Sequence, residues 1–200
     1  MDLSGPQREY DSQEFKNANH KGGVIKSKEF ESCTFSKCSF RDCVFQYCAF
    51  RDCVFRASDL SFVHFKGCTF VNCQFSNCEL IGINWAETAW SKGRLREPVH
   101  FVECALNHSI FIGLNLRGIT ISKCAALDVD FTDCDLTQCD CRFTDFADSR
   151  FLHTNLTRAD FTGAKNYAIA ASSNTLKKTK FSLPEAMGLL YSLDIVLTEY

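Results

Sequence analysis

The chain keeps time in fives. Aromatic or aliphatic residues fall at Phe30, Phe35, Phe40, Phe45, Phe50, Phe55, Leu60, Phe65, Phe70, Phe75, Leu80, Trp85 and Trp90 without a miss. Two residues before them lies a mostly small row that includes Cys33, Cys38, Cys43, Cys48, Cys53, Ser58, Val63, Cys68, Cys73 and Cys78. After Trp90 the phase slips by one residue. It resumes at Phe101, Leu106, Phe111, Leu116, Ile121, Ala126, Phe131, Leu136, Cys141, Phe146, Phe151, Leu156 and Phe161, with small partners from Val99 and Cys104 to Ala159 and Ala164. A period of five matches neither the helical repeat of about 3.6 nor the strand repeat of about 2, so neither element holds both rows on one face. The chain must turn within every five residues. A coil closing around an axis buries both rows, leaves the other three positions in water, and pairs its backbone with the coils above and below.

The unusual composition is the same pattern seen another way. Of 19 Phe only Phe62 and Phe143 lie off the central row, and of 13 Cys only Cys141 lies off the small row. The odd cysteine count and an N-terminal stretch without a secretory leader predict reduced thiols and a cytoplasmic location. Zinc sites need closely spaced ligand pairs, whereas these thiols recur at five, so they read as small interior fillers and no metal or cofactor is expected. His20, His64, His100, His108 and His153 are scattered, and no phosphate loop or nucleophile motif occurs, so no enzyme is expected. A thiol-rich metal or redox buffer is a weaker reading. With 22 basic against 24 acidic residues there is no global basic field, which argues against direct nucleic-acid binding. The chain has no apolar run of about 18 residues, so no membrane association is expected.

Units such as CTFSK, CSFRD, CVFQY, CAFRD and CVFRA, and later CDLTQ, TNLTR and ADFTG, resemble the A-(D/N)-L-x-x scheme of the pentapeptide-repeat family in its Cys/Phe-rich form, over roughly residues 28 to 165. The resemblance implies an all-β fold: a right-handed quadrilateral β-helix with four pentapeptides per coil. Each coil would advance one strand spacing, about 4.8 Å, so six to eight coils would make a rod of roughly 30 to 40 Å. Cys33, Cys53 and Cys73 would then stack in one column, and Cys104 with Cys124 in another.

The punctuation predicts five segments. Residues 1–27 keep the beat weakly at Tyr10, Phe15 and Ile25, but His20 and Gly22-Gly23 point to an irregular first coil or cap. Residues 28–90 form the first block, and 101–181 the second. Between them Ser91 to His100 (SKGRLREPVH), with Lys92, Arg94, Arg96 and Glu97, reads as a projecting loop or a one-residue bulge absorbed at a corner. In 182–200, Ser182 and Glu185 have capping-box spacing, and Leu183, Met187 and Leu190 follow at helical spacing, predicting a short helix from about Leu183. Leu193 to Leu197 then alternate partly as a strand. This apolar tail predicts either an intramolecular cap or a homodimer interface built on Leu183, Met187, Leu190, Leu193 and Ile195.

The sharpest charge feature is acidic. Between Ala126 and Phe161, Asp128, Asp130, Asp133, Asp135, Asp140, Asp145, Asp148 and Asp160 stand against Arg142, Arg150 and Arg158, a local net of −5. Asp130, Asp135, Asp140, Asp145 and Asp160 directly precede a central residue, where Asp or Asn favours turn geometry; Asp128, Asp133 and Asp148 exceed that pattern. The group reads as a solvated face or as an acidic face that binds a partner. Within the family, the Cys/Phe-rich first block, the stretch ELIGINWAETAW and the ending FTGAKNYAI…FSLPEAMGLLYSLDIVL resemble the Qnr proteins and the immunity proteins against microcin and albicidin. That resemblance implies a dimeric rod that imitates duplex DNA, binds DNA gyrase or topoisomerase IV, and protects it from a quinolone or peptide poison. The first block carries Lys21, Lys26, Lys28, Lys37, Arg41, Arg51, Arg56 and Lys66 as outward cations, which places the mimicry in the C-terminal half. The alternative is a rigid scaffold for another cytosolic protein.

Overall fold

In a computed structural model, which describes Leu3 and residues 5–89, 99–193, 195–196 and 198, the chain winds as a right-handed four-sided β-solenoid of about eight turns. Each side is a ladder of parallel pairings between successive coils. Side one pairs Tyr10, Phe30, Phe50 and Phe70, and continues through bridges at Asn115, Asp135, Asn155 and Thr175. Side two pairs Phe15, Phe35, Phe55, Phe75, Phe101 and Ile121. Side three is bridged through Asn19, Ser39, Asp59, Glu79, Ala105, Ala125 and Asp145. Side four pairs Ile25, Phe45 and Phe65 and continues through Asn84, Ile110, Asp130 and Arg150.

The five positions of a unit have distinct physical tasks. The central residue points inward, where rings stack along each side: Phe35 lies 4.7 Å from Phe15 and 4.6 Å from Phe55, centroid to centroid. Edge-to-face contacts link neighbouring sides, as between Phe30 and Phe35. The residue two before it is also buried, and its side chain is more than a filler. The Cys33 thiol reaches the carbonyls of Tyr10 and Glu31, and the Ser58 hydroxyl those of Phe35 and Arg56. Ser58 and Thr144 also accept from the N–H groups of Cys38 and Cys124 one coil back. A small side chain that both donates and accepts suits this position, hence the interchange of Cys, Ser and Thr. Lys28 occupies the same row and is buried, not outward as expected; its ammonium donates to the carbonyls of Gly5 and Gln7 and ties the N-terminus over the first coil.

The corner falls two residues after the centre, at a positive φ between +46° and +72°. No β-branched residue occupies it among the described residues, because branching at Cβ clashes in the left-handed region. Three corners hold exposed aromatic rings, and these include the two phenylalanines that break the central row. Tyr47, Phe62 and Phe143 lie over Gly67, Gly82 and Gly163 of the following coil, where a Cβ would come within 2.5–2.9 Å of ring carbons. Arg41 covers the Phe62 ring at 4.9 Å. Gly163→Ala is expected to cost about 1–2 kcal/mol for its φ of +70° and about 1–3 kcal/mol for the ring clash. Urea denaturation should show Gly163→Ala/Phe143→Ala to be less destabilised than the sum of the single variants; strict additivity would mean the ring and the glycine do not interact.

The register also explains the slip. Phe55 pairs with Phe75, 20 residues on, but Phe75 pairs with Phe101, 26 on, so one coil contains six extra residues between sides one and two. A one-residue bulge would shift the register by one, and that reading is corrected to an insertion of one unit plus one residue. Lys92, Arg94, Arg96 and Glu97, with Trp90, lie outside the described residues.

The ends depart from expectation in two ways. Strands Glu9–Asp11, Glu14–Lys16 and Val24–Lys26 pair in register with the next coil, so regular winding reaches back through most of 1–27. His20, at a central position, stacks on Phe40 at 5.7 Å. At the other end, Glu185–Ser192 is a 3-10 helix whose first turn has no side-chain cap. Ser182 Oγ instead accepts from the Gly163 N–H, 2.9 Å away on the preceding coil, so the capping box does not form. No strand occurs among the described residues after Ser192.

Candidate functional site

Successive units turn from one side of the rod to the next, and the eight aspartates turn with them. Asp130 lies on side four, Asp135 on side one, Asp140 and Asp160 on side two, and Asp145 on side three. Asp128 and Asp148 share the corner between sides three and four, and Asp133 sits at the corner between sides four and one. The expected acidic face is therefore a belt around the rod.

Local backbone chemistry accounts for each position. Asp130, Asp135, Asp140, Asp145 and Asp160 each accept from the N–H two residues on, as do Asp59, Asn84, Asn115 and Asn155, all at 2.9–3.3 Å. This oxygen draws the chain into the turn early. No three-residue strand has Asp or Asn just before its central residue, and the second block is consequently held mostly by one-residue bridges. Asp128, Asp133 and Asp148 occupy left-handed corners, which Asp tolerates better than most residues.

The belt is also largely paired. Arg142 clasps both oxygens of Asp140 at 2.8 and 2.7 Å. Arg150 meets Asp130 at 2.8 Å, Arg117 meets Asp135 at 3.1 Å, Lys165 meets Asp145 at 3.2 Å, and Lys180 meets Asp160 at 3.1 Å. The Arg142 hydrogen bonds hold the Asp140 carboxyl below its usual pKa. At Asp130, Asp135, Asp145 and Asp160 partial burial opposes ionisation, but hydrogen bonds from Thr132, Thr137, Asn166 and Thr162, together with the paired cations, outweigh it and lower the pKa. Interleaved cations also relieve the vertical acidic ladder that brings Asp140 beside Asp160.

The remaining three differ. Asp128 faces His108 at 2.9 Å and Asp133 faces His153 at 3.4 Å, and imidazole is a cation only when protonated. Asp148 has no ion pair among the described residues. These three rim side four, whose surface between them carries half-exposed Ile110, Ile112 and Leu152 and the Asp130–Arg150 pair. His108, Ser109, Ile110, Asp128, Val129, Asp130 and Arg150 line a shallow groove there of about 220 Å³. Side four between Trp85 and Ile169 is thus the place where acids that face no arginine or lysine meet exposed apolar groups.

A second acidic cluster escaped the sequence reading. Glu9 pairs in register with Glu29 and Asp11 with Glu31 on side one, forming a carboxylate ladder at the N-terminal end. The signal was the 20-residue spacing of like charges, which requires the four-sided coil to be known.

The tail leaves Leu183, Met187, Leu193 and Ile195 exposed, whereas Leu190 is partly covered and Leu189 packs on the core. All thirteen cysteines are free and buried, and burial pushes Cys33, Cys38 and Cys43 up and Cys134 to about 12. Cys139 and Cys141 bring their sulfurs within 3.2 Å of each other. Among the described residues no three His, Cys, Asp or Glu converge on a metal-sized site, and no helix is long and apolar enough to cross a membrane.

Comparison with known proteins adds to this geometry. The family description "Pentapeptide repeat region" matches residues 28–111, and "Pentapeptide repeats (8 copies)" matches 100–138 and 127–163. Full-length QnrB1, a plasmid-mediated fluoroquinolone resistance protein, superposes with a TM-score of 0.63 at 16% identity, covering 94% of this chain and 100% of QnrB1. A trypsin-treated QnrB1 variant gives 0.64 at 15% identity, covering 95% and 100%. No curated protein matches the sequence.

Proposed function

Because the chain belongs to the pentapeptide-repeat family, we propose that it protects a type II topoisomerase, DNA gyrase or topoisomerase IV, from a poison such as a quinolone or a peptide antibiotic. The observation that carries this reading is the acidic rim of side four. Asp128 and Asp148 stack one coil apart with Asp133 at the opposite corner of that side, and a basic saddle built for phosphates accepts a rigid rod that presents such repeated anions. Asp128, Asp133 and Asp148 are the carboxylates of the belt that face no permanent cation, since the other five are paired with arginine or lysine. The exposed tail residues Leu183, Met187, Leu193 and Ile195 would join two rods end to end, giving roughly 60–80 Å, the length of about 20 base pairs. The inserted segment bearing Lys92, Arg94, Arg96 and Glu97 would touch the enzyme outside its DNA saddle. The work is binding without catalysis, in the cytoplasm, where these enzymes act.

A second reading, a rigid scaffold for a different protein partner, is favoured by the turn-forming tasks and ion pairs of five of the eight aspartates. Charge reversal separates the two. Asp128→Lys, Asp133→Lys and Asp148→Lys should leave the fold intact, because Lys37 and Lys123 already occupy equivalent left-handed corners. Biolayer interferometry against immobilised gyrase should show the triple variant binding about 10-fold or more weakly. Unchanged affinity would remove mimicry from the account, and no binding by the parent protein would leave the scaffold.

A further inference from the structure

The corner between sides one and two, near the C-terminal end, has the opposite character from the belt. Arg117, Thr137, Gln138, Asn155, Thr157, Arg158 and Lys177 line an open groove of about 260 Å³. Four successive coils supply its walls, and Lys178 stands one coil beyond Arg158 in the same corner column. Arg117 shares its guanidinium with Asp135, but among the described residues Arg158, Lys177 and Lys178 face no carboxylate within ion-pair distance. Elsewhere in the second block the cations are largely matched to aspartates, so this groove concentrates the unmatched positive charge.

Between the cations lie neutral donors. Asn155 uses its side-chain oxygen on the Thr157 N–H, which leaves its amide NH₂ available to donate, and the Gln138 amide and the Thr157 hydroxyl share the same wall. Two guanidinium groups, an ammonium and several neutral donors exceed what a two-oxygen carboxylate can accept; they suit a tetrahedral oxyanion, which takes a bidentate arginine and further hydrogen bonds together. We propose that this groove is a phosphate-binding site, taking either a free polyphosphate or the phosphodiester backbone of a nucleic acid. The groove lies off side four, and the assignment does not depend on topoisomerase protection.

The test is direct binding by the full chain without gyrase, so its outcome is separate from the functional reading. Inorganic pyrophosphate is titrated by calorimetry and a short fluorescein-labelled DNA duplex by anisotropy, both at low salt. The parent protein is expected to bind at least one probe, and Arg158→Glu/Lys177→Glu to lose about 10-fold or more of that affinity. Lys37→Glu/Lys66→Glu, with equal charge change elsewhere on the rod, should bind as the parent does, and thermal melts establish that both variants fold. Pyrophosphate binding alone identifies a free polyphosphate as the source, and duplex binding identifies the nucleic-acid backbone. Failure of the parent to bind either probe, unchanged binding by Arg158→Glu/Lys177→Glu, or equal loss in the control variant would overturn the proposal.

Discussion

Trp85→Ala is expected to lower the melting temperature by roughly 10 °C, about 3–5 kcal/mol, and to divide one unfolding transition into two. Trp85 is fully buried and sits where the two blocks meet. Its ring stacks between Phe65 at 5.5 Å and Phe111 at 5.7 Å, and meets Phe70, Phe75 and Phe101 near the coil that carries the insertion. A solenoid coil contacts only the coils above and below it, so stability passes along the rod through such junctions. A cavity at the junction should uncouple the blocks, whereas Phe35→Ala, inside the first block, should destabilise without splitting. Scanning calorimetry of the two variants decides this: a single cooperative transition for Trp85→Ala would mean that the backbone ladders alone couple the blocks.

The second large effect concerns the belt as structure. Replacing Asp130, Asp135, Asp140, Asp145 and Asp160 together by alanine removes an oxygen that closes a turn at each site, at about 0.5–1.5 kcal/mol apiece. The corresponding asparagine variant keeps the oxygen and loses only the charge, so it should retain most of the stability at pH 7. The pH dependence follows from the same residues. Their folded pKa values lie below the unfolded value of about 3.9, so they contribute stability that is fully present above that pH and is lost as pH falls through the folded values. Urea midpoints of the parent protein should be nearly flat from about pH 7 to 5 and fall below about pH 4; the asparagine variant should show a much shallower fall. An asparagine variant as unstable at pH 7 as the alanine one would show that ion pairing, not turn formation, explains these aspartates.

The solenoid and both interior rows were legible because a five-residue beat of Phe and Cys has few physical solutions. Other features were written in the sequence at a spacing that only the coil makes meaningful. Phe62 and Phe143 looked like exceptions until Gly82 and Gly163, 20 residues on, proved to lie beneath them. The distribution of Asp130, Asp135, Asp140 and Asp145 over four sides follows from one unit per side, yet their closeness along the chain suggested one face. A phase slip of one could not be told from six, because a period of five hides whole units. Ser182 misled for a different reason. A local capping motif predicts a helix start only if its side chain is free, and contact with the preceding coil takes it for Gly163. Lys28 stood out of place in a row of small residues, and its tie to the N-terminal carbonyls required the fold to be seen.

Supercoiling of relaxed plasmid by purified DNA gyrase, titrated with this protein in the presence and absence of a quinolone or albicidin, tests the account most directly. Inhibition of supercoiling or rescue from the poison, weakened in the Asp128→Lys/Asp133→Lys/Asp148→Lys variant, is the predicted result. A folded protein that leaves both the enzyme and its poisoning unchanged across micromolar concentrations, with gyrase and with topoisomerase IV alike, would contradict it.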